Sequence, residues 1–203
     1  MFNRIKVSHF ILLLIIIGAF IWSSIKTTDY FTWVLEVSPV TIGLLILIFT
    51  YKRFRFTTLS YIIITVLSIF VFIGGHYIYE RVPLFNWIKD VFHSHRNNYD
   101  RFGHFAKGFF AIIIREILIR TSCLQPSKWL IFITLSIVLA ISSLYEILEW
   151  LASKIFGKST KDFLGTQGDI WDSQWDMSLS LLGGILCLLI LSKLHNKYLK
   201  KPL

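Results

Sequence analysis

Long apolar runs constrain the fold of this 203-residue chain more than any other feature. A helix needs about 20 mainly apolar residues to cross the hydrocarbon layer of a membrane. Runs of this kind occupy residues 7–25, 34–51, 56–79, 104–121, 129–150 and 175–192. They must be helical, because lipid offers no partner for free backbone groups. We therefore predict an all-α integral membrane protein with six transmembrane helices.

The composition supports a membrane location. Hydrophobic residues make up 55% of the chain and charged residues 16%, whereas about a quarter of the residues in a soluble domain are charged. The sequence has no Gly/Ser linker, low-complexity tract or internal repeat, so we expect residues 1–203 to form a single polytopic membrane domain. The two cysteines, Cys123 and Cys187, match no pattern typical of a disulfide scaffold or a zinc site. No clean cleavage site follows the first run, which favours a retained anchor over a signal peptide.

The charged residues of the loops predict the orientation. Lys and Arg are enriched in cytoplasmic loops of membrane proteins. With the N-terminus in the cytoplasm, the inner segments contain Arg4, Lys6, Lys52, Arg53, Arg55, Arg120, Lys128, Lys193, Lys197, Lys200 and Lys201. The acids then fall on the outer side, at Asp29, Glu36, Glu80, Asp90, Asp100, Asp162, Asp169, Asp172 and Asp176. We predict that both termini are cytoplasmic, and that the net charge of +9 suits anionic lipid headgroups and does not indicate a nucleic-acid partner.

Two outer loops are unusually polar. The first, residues 80–103, begins with a segment, Pro83–Phe92, whose apolar residues recur at helical spacing. This spacing predicts a short helix lying in the membrane interface between the third and fourth spans. The rest of that loop and the second loop, residues 163–176, are rich in charged and amide side chains and lead directly into the fourth and sixth spans.

Helical spacing brings the polar residues of these regions to one depth. Asp100 and His104 are separated by four residues, as are His76 and Glu80, and residues with this spacing share a helix face. Glu146 and Glu149, separated by three, lie near the outer end of the fifth span. A stripe at the start of the sixth span is formed by Asp169, Asp172 and Asp176. The topology places all four sets near the outer surface.

These residues predict an outward-facing polar pocket, because a charged side chain in the bilayer costs about 2.5–3.5 kcal/mol and normally faces a bundle interior, where it pairs. The candidate catalytic acids and bases are Asp100, His104, Glu146 and Glu149. The candidate substrate-binding residues are Arg96, Asn97, Arg101, Gln167 and Gln174, the arginines being suited to phosphate. The candidate metal ligands are Glu149, Asp169, Asp172 and Asp176, an oxygen-rich set that suits Mg²⁺, Mn²⁺ or Ca²⁺.

Structural explanations compete with each of these assignments. Acids at the start of the sixth span can simply stabilise a helix N-terminus. Asp100 and Arg101 can form an ion pair that fixes their loop, and His76 and His104 can be ordinary hydrogen-bonding residues. The tryptophans near the span ends are explained by an interfacial aromatic belt. At the other end of the fourth span, the spacing of Glu116 and Arg120 predicts an intrahelical ion pair.

The polar segments resemble those of a known family. They comprise Gly75-His76-Tyr77, Val82-Pro83, residues 96–105, Arg115-Glu116 with Arg120, residues 143–150 and residues 165–177. These segments resemble the YjdF family of bacterial inner-membrane proteins, whose function is not established. A looser similarity to VanZ-like proteins, which are linked to glycopeptide-antibiotic tolerance, involves Asp100, His104, the two span-five glutamates and Asp172 with Asp176. Both resemblances imply an envelope setting, and neither implies a reaction.

Two hypotheses about function remain open at this point. In the first, the pocket binds or processes a lipid-linked or cell-envelope molecule, with carboxylates serving as metal ligands or as acid and base. In the second, the carboxylates bind an ion or proton during transport, or pin the helices together in a non-enzymatic envelope protein. The sequence has no Walker A loop, no G-x-S-x-G elbow and no H-E-x-x-H helix, which argues against nucleotide-driven pumping and two common hydrolase classes.

Overall fold

The computed structural model describes residues 6–157, 161–164 and 166–200, and every regular element within these ranges is helical. In chain order the helices are α1 (Val7–Ser24), α2 (Tyr30–Thr50), α3 (Thr58–Tyr77), α4 (Pro83–Val91), α5 (Tyr99–Lys107), α6 (Ala111–Thr121), α7 (Lys128–Phe156), α8 (Lys161–Leu164) and α9 (Asp172–Leu199). This confirms the predicted all-α class. Arg4, Gly165 and Lys201, which entered the sequence arguments, lie outside the described residues.

Five of the helices, α1, α2, α3, α7 and α9, are long and apolar enough to cross a membrane. They correspond to five of the six predicted spans, although α7 and α9 extend well beyond the bounds predicted for them. Such long helices suit a bilayer because their backbone groups are satisfied internally. The predicted span at 104–121 differs, since α5, a 3₁₀ turn at Gly108–Phe110 and α6 follow one another without a gap.

The 3₁₀ turn lies where this broken segment crosses α9. Gly108 faces the backbone of Ser180, Gly183 and Gly184, and Gly183 faces the backbone of Phe105. A Cβ atom at Gly108 or Gly183 would overlap these backbone atoms. Glycine therefore lets the two backbones approach closely, as small residues do at helix crossings in membranes. This close approach fixes α5 against the first turns of α9.

Two apolar clusters hold the remaining helices. One lies between α3, α6, α7 and α9 and includes the fully buried Ile112 and Cys187. The other joins α1, α2 and α3 around Val37 and Phe72. Both clusters form because their apolar side chains are buried and pack against each other. Other apolar side chains are exposed on the outside of the bundle, where they suit contact with lipid. The clusters leave room for two polar sites, one near each end of the bundle.

The polar site at the α6 end is built on Glu116, which is fully buried. Its carboxylate accepts hydrogen bonds from the Thr57 backbone N–H at 2.9 Å, the Thr57 hydroxyl at 2.8 Å and the Ser60 hydroxyl at 2.6 Å. Arg120 Nη1 lies 2.9 Å from it, as the sequence spacing predicted. Because each oxygen has several donors, this carboxylate acts as a lock between α3 and α6.

The ends of two helices differ from the sequence expectation. Helix α3 stops at Tyr77, and Ile78 has a positive φ of 65°, so His76 and Glu80 do not share a helix face as their spacing predicted. His76 Nδ1 instead lies 3.1 Å from the Ser23 carbonyl oxygen. Helix α9 begins only at Asp172, so the predicted stripe excludes Asp169. The Asp169 carboxylate accepts a hydrogen bond from the Trp171 N–H at 2.9 Å, which stabilises a turn before the helix.

The short helix predicted at residues 83–92 is present as α4, and its location in the membrane interface stays a prediction. Pro83 occupies its first position, where a missing N–H costs least. Leu84, Trp87 and Val91 are exposed on one of its faces, while Asn86 is tied to the neighbouring Arg81 carbonyl at 3.2 Å. This arrangement is the one expected of a helix whose apolar face contacts lipid.

Candidate functional site

Two arginines organise the outer layer of the second polar site. Arg96 Nη1 lies 2.6 Å from Asp172 Oδ1 and also donates to the Thr166 carbonyl at 2.8 Å. Arg101 forms an ion pair with Asp169, and its Nη2 lies 3.8 Å from Asp172 Oδ1. The loop before α5 and the loop before α9 are therefore held together by opposite charges.

A reciprocal amide contact reinforces this junction. The Asn97 backbone N–H donates to Gln167 Oε1, and Gln167 Nε2 donates to the Asn97 carbonyl, both at 2.9 Å. The Asn97 side chain in turn donates to Asn86 Oδ1 at 2.8 Å and thereby ties α4 to the loop. Asn97 and Gln167, predicted as substrate-binding residues, thus have their hydrogen-bonding capacity directed at the protein itself.

The inner layer lies one helical turn deeper and contains the buried side chains of His104, Glu146 and Asp176. His104 Nε2 is 3.6 Å from Asp100 Oδ1, and His104 Nδ1 is 3.8 Å from Glu146 Oε1. One ligand-type atom from each of Asp100, His104 and Asp176 lies within 4.8 Å of the other two. Among the described residues, His104 Nδ1, Glu146 Oε1 and Asp176 Oδ1 are buried and have no hydrogen-bond partner. Such orphaned groups are costly in a protein interior and therefore call for an explanation.

Lys107, Glu36 and Tyr145 belong to this layer, although the sequence reasoning did not assign them to the site. Lys107 Nζ lies 3.1 Å from His104 Nε2 and 4.4 Å from the centre of the Tyr145 ring. The Tyr145 hydroxyl donates to Glu36 Oε2 at 3.0 Å. Glu36 could have been indicated by its place as an isolated charged residue in an apolar run, and Lys107 by its position three residues after His104.

The contact between Lys107 and His104 fixes the state of the imidazole. An ammonium group has only donors, so His104 Nε2 must accept from it. The proton of the neutral ring is then on Nδ1, the nitrogen that faces Glu146. In this arrangement Glu146 can orient His104, and the Nε2 lone pair points toward a cation.

An open cavity of about 330 Å³ lies over the outer layer, lined by Thr166, Gly168, Asp169, Ile170, Asp172 and Ser173. Its rim is strongly apolar, because Ile170 is 85% exposed and Trp171 and Trp175 are also exposed. The Arg101 guanidinium stacks over the Trp175 ring, 5.5 Å from its centre. The cavity therefore presents acidic groups beside apolar surface, and the two arginines contact its lining at Thr166, Asp169 and Asp172.

Asp169 is a carboxylate at the mouth of this cavity and lies outside the spanning helices. The hydrogen bond from the Trp171 N–H, together with the hydrogen bond and charge of Arg101, holds the pKa of Asp169 below its ordinary value. The group is therefore ionised at neutral pH and keeps its pairing with Arg101.

Most of the predicted site residues lie together in one cluster, and some lie at the edge of this cluster. Those in ionic or short polar contact with one another are Arg96, Asp100, Arg101, His104, Glu146, Asp169, Asp172 and Asp176. Glu149 is half-buried one turn beyond Glu146, within electrostatic range of Lys107. Gln174 lies on an exposed face of α9 and does not join the cluster.

The outer and inner layers form two compartments of the site that differ in chemistry. The outer one offers guanidinium donors beside an open cavity, which suits an anion. The inner one offers several carboxyls and an imidazole around one ammonium group, which suits a cation or the transfer of a proton. Both compartments share α5 and α9, so any ligand in one lies close to the other.

These features define a multi-pass membrane protein with an acid-rich polar site buried near one end of its helix bundle. The chain belongs to the family described as "Predicted membrane protein (DUF2238)", whose profile matches residues 8–197. It is 38% identical over 182 residues to the inner membrane protein YjdF of Escherichia coli (strain K12), covering 89% of this chain and 87% of that protein. The match confirms the resemblance to the YjdF family and an inner-membrane, multi-pass location. No solved structure matches the chain.

Proposed function

We propose that the cavity over Arg96 and Arg101 faces the outside of the cell and binds the phosphate of a lipid-linked envelope molecule, which the carboxylates and His104 then process by proton transfer. The observation that carries this proposal is that two guanidinium groups contact the acids lining one open cavity, next to exposed apolar side chains. A molecule with a charged head and a long apolar tail matches both features.

The charged part of the argument rests on Arg101. Its guanidinium is paired with the carboxylate of Asp169, an anionic group that stands where a phosphate oxygen would bind. Among the described residues its buried Nε has no hydrogen-bond partner, so the group has a second donor for a phosphate that displaces Asp169 and enters beside it. Arginine binds phosphate through parallel donors of this kind, and hydrogen bonds to charged groups are worth about 1.5–3 kcal/mol.

The apolar part of the argument rests on Ile170, Trp171 and Trp175. Large apolar side chains that stay exposed beside a charged cavity indicate a binding surface. In a membrane protein such a rim allows an acyl or prenyl tail to remain in lipid while the headgroup enters the cavity. Tryptophan is well suited to this position because its ring is apolar and its N–H is polar.

The residues for a chemical step lie directly behind the outer layer. Asp100 connects the two compartments, because its Oδ2 lies 3.8 Å from Arg96 Nη2 and its Oδ1 lies 3.6 Å from His104 Nε2. The His104–Glu146 pair supplies an imidazole oriented by a carboxylate, which is a common arrangement for general acid–base catalysis. We therefore assign proton transfer to Asp100, His104 and Glu146.

The site at the opposite end of the bundle supports no transport role. Every oxygen of Glu116 is engaged by protein donors. The buried Ile112 and Cys187 lie between Glu116 and the outer site along α6 and α9. This packing favours a structural role for Glu116.

Binding of a polyprenyl phosphate to the purified full chain tests the proposal. We expect Arg101→Gln to weaken binding by roughly 10- to 100-fold, because the lost charge-assisted hydrogen bonds are worth about 1.5–3 kcal/mol. Native mass spectrometry in detergent titrations would measure the affinity, with the phosphate-free prenol of equal length as a second ligand. Lys89→Gln, which removes one positive charge from α4, is the matched control and should bind as the wild type does. Equal binding of the prenol, or an unchanged affinity in Arg101→Gln, would contradict the proposal.

A further inference from the structure

We propose that Asp100, His104 and Asp176 form a divalent-cation site in the inner compartment, with Glu146 orienting the histidine. This inference deepens the proposed function, on which it rests for its role in catalysis. While the ion is bound, Asp100 and His104 serve as its ligands and do not transfer protons, so the proton-transfer role falls to Glu146. Cation binding itself is measurable without the lipid. It places the metal on a set of residues that shares only Asp176 with the set expected from the sequence. Asp169 and Asp172 are instead engaged by arginines.

The geometry of the candidate ligands fits one ion. Zinc holds nitrogen and oxygen ligands at about 2.0–2.2 Å, so three ligand atoms around one such ion lie roughly 3.0–3.6 Å apart. The ligand atoms of Asp100, His104 and Asp176 lie within 4.8 Å of one another and must close by up to about 1–2 Å to bind an ion. Asp100 and His104 are one turn apart on α5, and Asp176 faces them from α9 across the glycine crossing.

The unpartnered buried atoms give an independent reason to expect a ligand. His104 is 1% exposed and Asp176 is 2% exposed, yet His104 Nδ1 and Asp176 Oδ1 have no hydrogen-bond partner among the described residues. The orphaned Glu146 Oε1 lies 3.8 Å from His104 Nδ1. If His104 binds an ion through Nε2, its Nδ1–H can donate to Glu146, which completes the carboxylate–histidine–metal arrangement seen in metal sites. Asp176 Oδ1 then has the ion as its partner.

Lys107 already shows that this position stabilises positive charge. Its ammonium nitrogen lies 3.1 Å from His104 Nε2, beside the nitrogen that would bind the ion. The carboxyls of Glu36, Asp100, Glu146, Glu149 and Asp176 lie within electrostatic range of this ammonium group. Clustered carboxyls resist joint ionisation unless further positive charge lies among them, and a divalent ion would supply that charge. The flexible lysine stem allows its ammonium group to move toward Tyr145 when the ion enters.

The ligand types indicate the class of ion. Two carboxylates with one imidazole suit Mn²⁺ or Zn²⁺ better than Ca²⁺, because Ca²⁺ takes oxygen ligands and imidazole suits the transition metals. Mn²⁺ is the practical probe, since its free form has a strong electron paramagnetic resonance signal that disappears on binding.

Titration of the detergent-solubilised full chain with Mn²⁺, without added lipid, tests the site through two variants that act in opposite directions. Asp176→Asn removes a ligand charge and should weaken Mn²⁺ affinity by at least about 10-fold. Lys107→Gln removes the competing positive charge while keeping a donor, and should tighten Mn²⁺ binding by at least about 3-fold. Asp90→Asn, which removes an exposed acid on α4 outside both compartments, is the control and should leave the affinity unchanged.

The following results would overturn the cation site or separate it from the lipid-binding proposal. The site is overturned if neither the wild type nor Lys107→Gln binds Mn²⁺ with one ion per chain, or if Asp176→Asn binds it as tightly as the wild type does. Should Asp176→Asn fail to fold, the Lys107→Gln titration alone decides, because equal or weaker binding there contradicts the proposal. Arg101→Gln separates the two proposals: it should keep its Mn²⁺ affinity while losing polyprenyl phosphate.

Discussion

Gly183→Ala is expected to destabilise the protein by about 3 kcal/mol, the upper end of the usual range for overpacking. A Cβ at Gly183 would overlap the carbonyl group of Phe105, and backbone atoms cannot move aside as a side chain can. The substitution must therefore push α5 away from α9 and separate Asp100 and His104 from Asp176. Thermal unfolding in detergent, followed by size-exclusion chromatography, should show a midpoint roughly 6–12 °C lower than that of the wild type.

Gly43→Ala is the matched control for this prediction. Gly43 lies within α2 and has no atom within 4 Å of the position that a Cβ would occupy. Alanine is the better helix former, so the midpoint should stay the same or rise slightly. An unchanged midpoint in Gly183→Ala would show that the two backbones are not in the close contact described here.

Glu116→Gln is expected to cost about 3–5 kcal/mol, the usual penalty for removing one partner of a buried ion pair. Arg115 Nη1 lies 2.8 Å from His195 Nδ1, so this nitrogen accepts and His195 Nε2–H is left to donate to Glu116 Oε2 at 3.2 Å. Glutamine has one acceptor oxygen in place of two, and its amide group would face donors. Arg120 would also lose its opposite charge.

Unfolding of Glu116→Gln by a graded denaturing detergent, compared with the wild type, would measure this loss. Glu80→Gln is the control, because Glu80 and Arg81 form a more exposed ion pair at 3.7 Å and such pairs contribute about 0–1 kcal/mol. Equal losses of stability in the two variants would contradict the assignment of Glu116 as a lock between helices.

Much of the helical framework could be predicted from the apolar runs alone, because lipid allows few alternatives to a helix. The broken segment at residues 99–121 could not. Its 3₁₀ turn depends on the contact of Gly108 with Gly183 and Gly184, residues distant in sequence. The helix ends at Ile78 and Asp172 were missed because a positive φ and a carboxylate-stabilised turn depend on local geometry that hydrophobic spacing does not report.

Some residues of the candidate site could be predicted from the sequence, and others could not. Glu146, Asp176 and His104 could be predicted to lie together because helix spacing and span depth place them at one level. Lys107 was missed as a site residue although it lies three residues after His104, a spacing that places both side chains on one helix face. Glu36 was assigned only to the outer side, since its neighbour Tyr145 comes from a distant helix.

The central claim is that the gathered acids and arginines face the outside of the cell, and cysteine labelling in spheroplasts tests it most directly. The native Cys123 is exposed between α6 and α7, at the end opposite the site, whereas Cys187 is buried. Thr166→Cys, in a chain that also carries Cys123→Ser, puts a thiol at the cavity. A membrane-impermeant maleimide should label Thr166→Cys in intact spheroplasts and the wild type only after permeabilisation. The reverse pattern, with Cys123 labelled in intact spheroplasts and Thr166→Cys protected until permeabilisation, would place the site in the cytoplasm and contradict the account.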